Sequence, residues 1–160
     1  MTLNEENIDY YQSFFGSNYE YWTKEAVQLE MQGKTSFNLY AFFFGLFWFL
    51  YRKMFREVVV IVLVVMAVRY LEAVLILNEI VAKENELVLS MCTTLGLSSL
   101  FGLFANKLYL RHCHLQVTQI LAGDMEANAK IEVLKNKGGI SYISPIILLI
   151  LMIVVNSIAY

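Results

Sequence analysis

The side chains that could do chemistry in this chain are few, and most stand in apolar surroundings. Arg69 and Glu72 lie three positions apart in "VVVIVLVVMAVRYLEAVLIL", Val58 to Leu77, and so share one face of a helix. Ionisable groups deep in an apolar run are candidates for an ion or proton relay, whereas a pair with its own counter-charge one turn away reads first as a structural ion pair turned toward a helix bundle. "RHCH", Arg111 to His114, offers metal-ligating side chains. Successive helical positions point about 100° apart, so these neighbours do not converge on one ion and no metal is expected. The acids Glu5, Glu6, Asp9, Glu20, Glu25 and Glu30 have no paired histidine, and phosphate loops, CxxC pairs and GxSxG elbows do not occur. The expectation is therefore a protein without enzymatic activity or cofactor.

The elements that hold these residues are unusually apolar. Hydrophobic residues make up 58% of the 160 positions, against about 45–50% in an ordinary globular domain, which points to a lipid bilayer as solvent. The net charge of −2 gives no reason to expect nucleic acid. Cys92 and Cys113 are too few for a disulfide framework. The acidic opening "MTLNEENIDYYQ" does not read as a secretory signal, so insertion is expected through internal segments.

The fold class expected is an all-α integral membrane bundle: three spans, a short aromatic re-entrant or fourth membrane helix, and an N-terminal helical region outside the bilayer. Residues 1–36 read as two short helices, with the capping-box spacing in "TLNE" and "SNYE" and stops at Gly16 and Gly33. The second helix carries Trp22, Ala26, Val27 and Leu29 on one side, to be covered either by the protein itself or by lipid headgroups. The spans are 58–77, 87–110 and 140–160, each close to the roughly 20 residues a hydrocarbon core requires. Residues 111–139 form an amphipathic linker, with Val117, Ile120, Leu121, Ala127, Ile131 and Leu134 at helical intervals, a stop and cap at Gly123-Asp124, and a flexible joint at "NKGG". Pro145 suits a helix start. Gly96, Ser98, Gly102 and Ala105 form a small-residue packing face for a helix of the same chain or of a second copy.

Charge sets the orientation. Arg52, Lys53 and Arg56 come after the aromatic stretch, and Lys107, Arg111, Lys130, Lys135 and Lys137 come after the second span, while Lys83 alone stands among the acids between spans. The positive-inside rule puts both basic segments in the cytoplasm and leaves Tyr160 outside. The aromatic segment 37–51 would rise only about 22 Å as a helix, short of a core of roughly 30 Å. Two readings stand: a re-entrant or interfacial element, or a thin crossing supported by its neighbours.

At "SFNLYAFFFGLFWFLYRKMF" the sequence resembles the bacterial membrane-protein family catalogued as domain of unknown function 2628. The resemblance rests on Phe37, Asn38, Ala41, Phe42, Phe43, Phe44, Gly45, Trp48, Tyr51, Arg52, Lys53 and Met54. "FANKLYLRHC", Phe104 to Cys113, resembles the family's Asn-Lys/Arg-x-Tyr pattern through Asn106, Lys107 and Tyr109, and the upstream Tyr10, Tyr11, Tyr19 and Tyr21 add to it. Leu39 and Tyr40 replace Trp and Ala, and Leu46 replaces a frequent Pro, so no proline kink is implied. The resemblance implies a small multi-pass protein of the bacterial inner (cytoplasmic) membrane with no assigned activity and no catalytic residues to carry over.

The functional expectation is an accessory or interaction protein that binds lipid and, through its helices, itself or another membrane protein. The alternative is an oligomeric channel, transporter or lipid-handling protein whose polar line runs through Arg69, Glu72, Asn106 and Lys107. Val58 to Val68 offers such a line no polar side chain.

Overall fold

The computed structural model describes Leu3 and residues 6–158, and among these every regular element is helical. In chain order the helices are α1 (Ile8–Phe15), α2 (Tyr19–Gln32), α3 (Leu39–Phe44), α4 (Leu46–Tyr51), α5 (Phe55–Leu77), α6 (Glu86–Leu121), α7 (Ala127–Lys137) and α8 (Ile143–Ile158). Gly16 and Gly33 end α1 and α2 with positive φ angles, as expected of glycine stops. The expected cap of "SNYE" does not form: Ser17 lies in a short 3-10 turn, Asn18 stands at the N-cap, and it makes no side-chain capping bond. The "TLNE" cap and Tyr160 lie outside the described residues.

Two of the helices are long and apolar enough to cross a membrane: α5, and the helical stretch containing α6. α8 is apolar but is described over only 16 residues, about 24 Å at 1.5 Å per residue. Pro145 occupies its first turn, where a missing N–H leaves no helical bond unmade. The expected return to water at residue 111 does not break the chain. α6 continues for 36 residues, about 54 Å, because the apolar face of the span runs straight into the amphipathic face carrying Val117 and Ile120. No glycine or proline intervenes between Gly102 and Gly123.

α6 therefore joins two environments. Its second half is packed: Tyr109, Leu110, Cys113, Val117 and Ile120 are buried together with Tyr11, Phe14 and Phe15 of α1, Trp22 and Ala26 of α2 and Leu134 of α7. Trp22 and Ala26 on the apolar side of α2 are thus covered by the protein itself, Leu29 is half-buried and Val27 is exposed. Its first half is bare, and Leu87, Val88, Met91 and Leu95 are exposed, as are Val59, Val60, Leu63 and Met66 of α5. In the most apolar windows of these helices only 11% and 6% of residues are buried, so protein covers neither as it would cover the core helix of a globular domain.

"NKGG" is a docking point rather than a flexible joint. Gly139 donates its N–H to the Phe14 carbonyl at 2.8 Å, and a Cβ on Gly138 would lie 2.1 Å from that oxygen. α7 begins after Glu126 rather than on Asp124, and Lys130 reaches back to the Leu121 carbonyl at 3.1 Å, occupying one of the free carbonyls at the end of α6.

Candidate functional site

The aromatic segment folds as a broken helix. Asn38 caps α3, its Oδ1 accepting from the Ala41 N–H at 2.8 Å. Gly45, at φ 47°, ends α3 and starts α4 without any proline. α6 records how far the segment travels. Asn38 N–H donates to the Gly102 carbonyl at 2.8 Å, Gly45 faces the Phe101 ring, and Arg52 returns to lie over Tyr109. The contacts thus fall between residues 101 and 109 of α6, about 12 Å of helix axis. The start at Gly102 and the Gly45 break at Phe101 are one residue apart along α6, and the finish lies about two turns further on at Tyr109. Phe43 and Phe44 are exposed near the tip, whereas Trp48 is buried.

Of the small-residue face, Gly102 meets this segment rather than another long helix. The Phe37 ring covers Gly102 so closely that a Cβ there would lie 2.2 Å from its Cζ. Ala105 is buried, Ser98 is half-buried and Gly96 is exposed.

Beneath Asn38 lies a polar network that sequence reasoning saw only in pieces. Asn38 Nδ2 donates to Asn106 Oδ1 at 2.7 Å. Asn106 Nδ2 has Tyr21 Oη at 2.9 Å, the Ser36 carbonyl and hydroxyl both at 3.2 Å, and Glu25 Oε2 at 3.3 Å. Its two N–H groups serve two of these four acceptors at a time. Ser36 supplies the Glu25 carboxylate with a backbone N–H at 2.9 Å and its hydroxyl. Asn106 is fully buried and Glu25 nearly so, so the cluster meets the requirement that buried polar groups be paired. Glu25 read in sequence only as an acid of the N-terminal helical region with no paired histidine. Its only local signal was its position one turn after Trp22 and one residue before Ala26, on the apolar side of α2.

A second polar cluster ties α5 to α6. Arg69 Nη1 donates to Glu72 Oε2 at 2.7 Å and to Ser90 Oγ at 2.8 Å, Nη2 donates to Thr94 Oγ1 at 2.8 Å, and the Thr93 hydroxyl donates to Glu72 Oε1. The i, i+3, i+4 spacing of Ser90, Thr93 and Thr94 was a legible signal for this partner face. The same two helices meet again where Glu57 Oε1 lies 3.1 Å from His112 Nδ1. The "RHCH" side chains diverge. His112 meets Glu57, Cys113 is buried in the core, and His114 Nδ1 lies 2.8 Å from Tyr11 Oη. Burial, and after it the Cys113 thiol, pushes the Tyr11 hydroxyl above its ordinary pKa.

The polar line of Arg69, Glu72, Asn106 and Lys107 is not continuous. The Arg69 cluster ends at Thr94, twelve residues or about 18 Å along α6 from Asn106, and Lys107 is exposed beside Phe104 and Val60 rather than beside Asn106. Nor do Arg52 and Lys53, after the aromatic stretch, extend freely into water. Lys53, itself at φ 59°, donates through Nζ to the Asn136 and Gly138 carbonyls at 2.9 and 2.7 Å, closing the end of α7. Arg52 is buried at 7% exposure, with Cζ 4.9 Å from the Trp22 ring centroid, 5.2 Å from Tyr109 and 5.6 Å from Tyr51. Nε and Nη1 of that guanidinium have no hydrogen-bond partner.

These features define a class: an all-helical protein with two membrane-length helices, a folded aromatic segment held on the second of them, and a packed helical head. Residues 12–114 match the family described as "Protein of unknown function (DUF2628)", and the chain belongs to that family. No curated protein and no solved structure matches it.

Proposed function

We propose that this is a multi-pass protein of the bacterial inner membrane, an accessory or interaction protein without enzymatic activity. Its bare helices stand in lipid and its packed head lies in the cytoplasm. The observation that carries the reading is the contrast between the two halves of α6, buried in an aromatic core at one end and exposing Leu87, Val88, Met91 and Leu95 at the other. Leaving such side chains in water would forfeit about 25 cal/mol per Å² of apolar surface. Between the Glu57–His112 contact and the Arg69 cluster, α5 carries no charge from Val58 to Val68, as suits the interior of a bilayer.

In this reading α5 and α6 form a hairpin with its loop outside, α8 makes the third crossing, and α3–α4 dips into the cytoplasmic leaflet without crossing. The Arg69–Glu72 pair is a structural clamp, favoured over a relay because Ser90, Thr93 and Thr94 satisfy it. The non-enzymatic reading is supported by the way the Glu25–Asn106 network closes on itself.

The test is alkaline carbonate washing of membranes, then labelling with an impermeant maleimide after Cys92→Ala and Cys113→Ala. Lys83→Cys should label from the periplasmic side of intact cells, and Lys34→Cys only after lysis. Release of the protein by carbonate, or labelling of Lys34→Cys from outside, would refute the reading.

A further inference from the structure

Arg52 is the polar group in the head whose environment is least complete. A guanidinium is always charged and carries donors only. This one is buried, Nε and Nη1 have no acceptor, and no carboxylate of the described residues lies within ion-pairing distance. Aromatic faces stabilise a cation by their quadrupoles, and Trp22, Tyr51 and Tyr109 do so here; the buried Tyr109 hydroxyl also lies near the guanidinium, but neither the rings nor that neutral oxygen supplies a counter-charge.

Arg52 also lies in the walls of two neighbouring cavities. One, of about 480 Å³, is bounded by Phe44, Phe47, Trp48, Tyr51 and Pro145; the other, of about 340 Å³, by Tyr21, Trp22, Phe37 and Asn38. Both share Asn18, Tyr40, Trp48 and Arg52, and no acidic side chain lines either. An anion entering here meets a cation without a counter-charge, and an apolar group attached to that anion meets aromatic rings and a proline. At the mouth, Tyr40 and Phe44 are exposed, the side-chain types that gather where headgroups meet acyl chains.

We propose that Arg52 is the recognition group of a phosphate site for an anionic phospholipid, taking the headgroup phosphate into the aromatic cavity while the glycerol and first acyl carbons lie along Phe44, Phe47 and Pro145. A guanidinium makes strong charge-assisted hydrogen bonds to phosphate oxygens, and the volume fits a headgroup rather than a whole lipid. The site rests on the membrane reading above for the source of its ligand. Binding is measured in detergent, so its failure is separable from failure of that reading, which carbonate washing tests.

Trp22 and Trp48 are the chain's two tryptophans and both line these cavities, so intrinsic fluorescence of the full chain in dodecyl maltoside reports on the site. Titration with phosphatidylglycerol should change the emission saturably, with phosphatidylcholine and inorganic phosphate each requiring at least about tenfold higher concentration. Arg52→Gln should weaken phosphatidylglycerol binding about tenfold or more. Tyr40→Glu alters an exposed side chain at the mouth and leaves Arg52 in place; it should weaken binding several-fold by repulsion, and it decides the matter if Arg52→Gln does not fold. Equal binding of phosphatidylcholine, or Tyr40→Glu binding as wild type, overturns the site. Inorganic phosphate saturating at the same concentration as phosphatidylglycerol overturns the lipid as its ligand.

Discussion

Asn106→Ala tests whether the buried network holds the aromatic segment to α6. The Asn106 side chain is fully buried, accepts from Asn38 Nδ2 at 2.7 Å, and offers two N–H groups to Tyr21, Ser36 and Glu25. Its removal orphans the Asn38 donor. A buried unpaired polar group costs roughly 1–3 kcal/mol, and a lost neutral hydrogen bond about 1. Glu25 keeps its two bonds from Ser36, so the carboxylate adds little, and the expected loss is about 2–3 kcal/mol. At roughly 2–4 °C per kcal/mol for a chain of this size, Tm in dodecyl maltoside should fall by about 4–12 °C. Asn38→Ala removes the same bond together with the α3 cap, so the double variant should cost about 1 kcal/mol less than the two singles added. Lys107→Ala, one position along but exposed, should stay within about 0.5 kcal/mol. Additivity of the Asn pair within about 0.5 kcal/mol would refute the network as the link between segment and helix.

The Arg69 cluster makes a prediction about order rather than size. Glu72→Leu leaves the Arg69 cation in an apolar run without its counter-charge and should lower the unfolding midpoint more than Arg69→Leu/Glu72→Leu does, because breaking a pair leaves an uncompensated charge while removing both does not. A single variant as stable as the double would show that Ser90 and Thr94 alone satisfy Arg69. Gly138→Ala should cost about 1–3 kcal/mol, since its Cβ would lie 2.1 Å from a backbone oxygen of α1 and no flexible side chain can yield. Faster proteolysis between α7 and α8 is the readout, and an unchanged cleavage rate would contradict the docking of this turn.

The long apolar periods were legible because they depend on composition over twenty or more residues. The limits of α5 came within three residues of expectation, since a run of valines bounded by Arg56 and Asn78 leaves little freedom. The continuity of α6 was harder to see. Its hydrophobic pattern changes from all-round to one-sided near Leu110, and in sequence that resembles the end of an element. The helix persists because both patterns have the same period and nothing between them breaks a backbone hydrogen bond. Gly102 was visible as a packing position, but not its occupant, because a small residue specifies a space and not what fills it.

Arg52 marks where sequence reasoning stops for a physical reason. Beside Lys53 and Arg56 it counts as one more positive charge at a membrane edge, and the positive-inside rule needs nothing else from it. The fold separates the three. Lys53 closes a helix end, Arg56 is exposed, and Arg52 turns inward onto rings from positions 22, 51 and 109. Only Tyr51 is a sequence neighbour; Trp22 and Tyr109 arrive through the packing of α2 on α6, which their own contact, 4.2 Å between ring centroids, secures. The aromatic segment thus has two faces with different work. Phe43 and Phe44 face outward near the Gly45 break, whereas Trp48 and Arg52 face the head, and the break lets one short stretch present both.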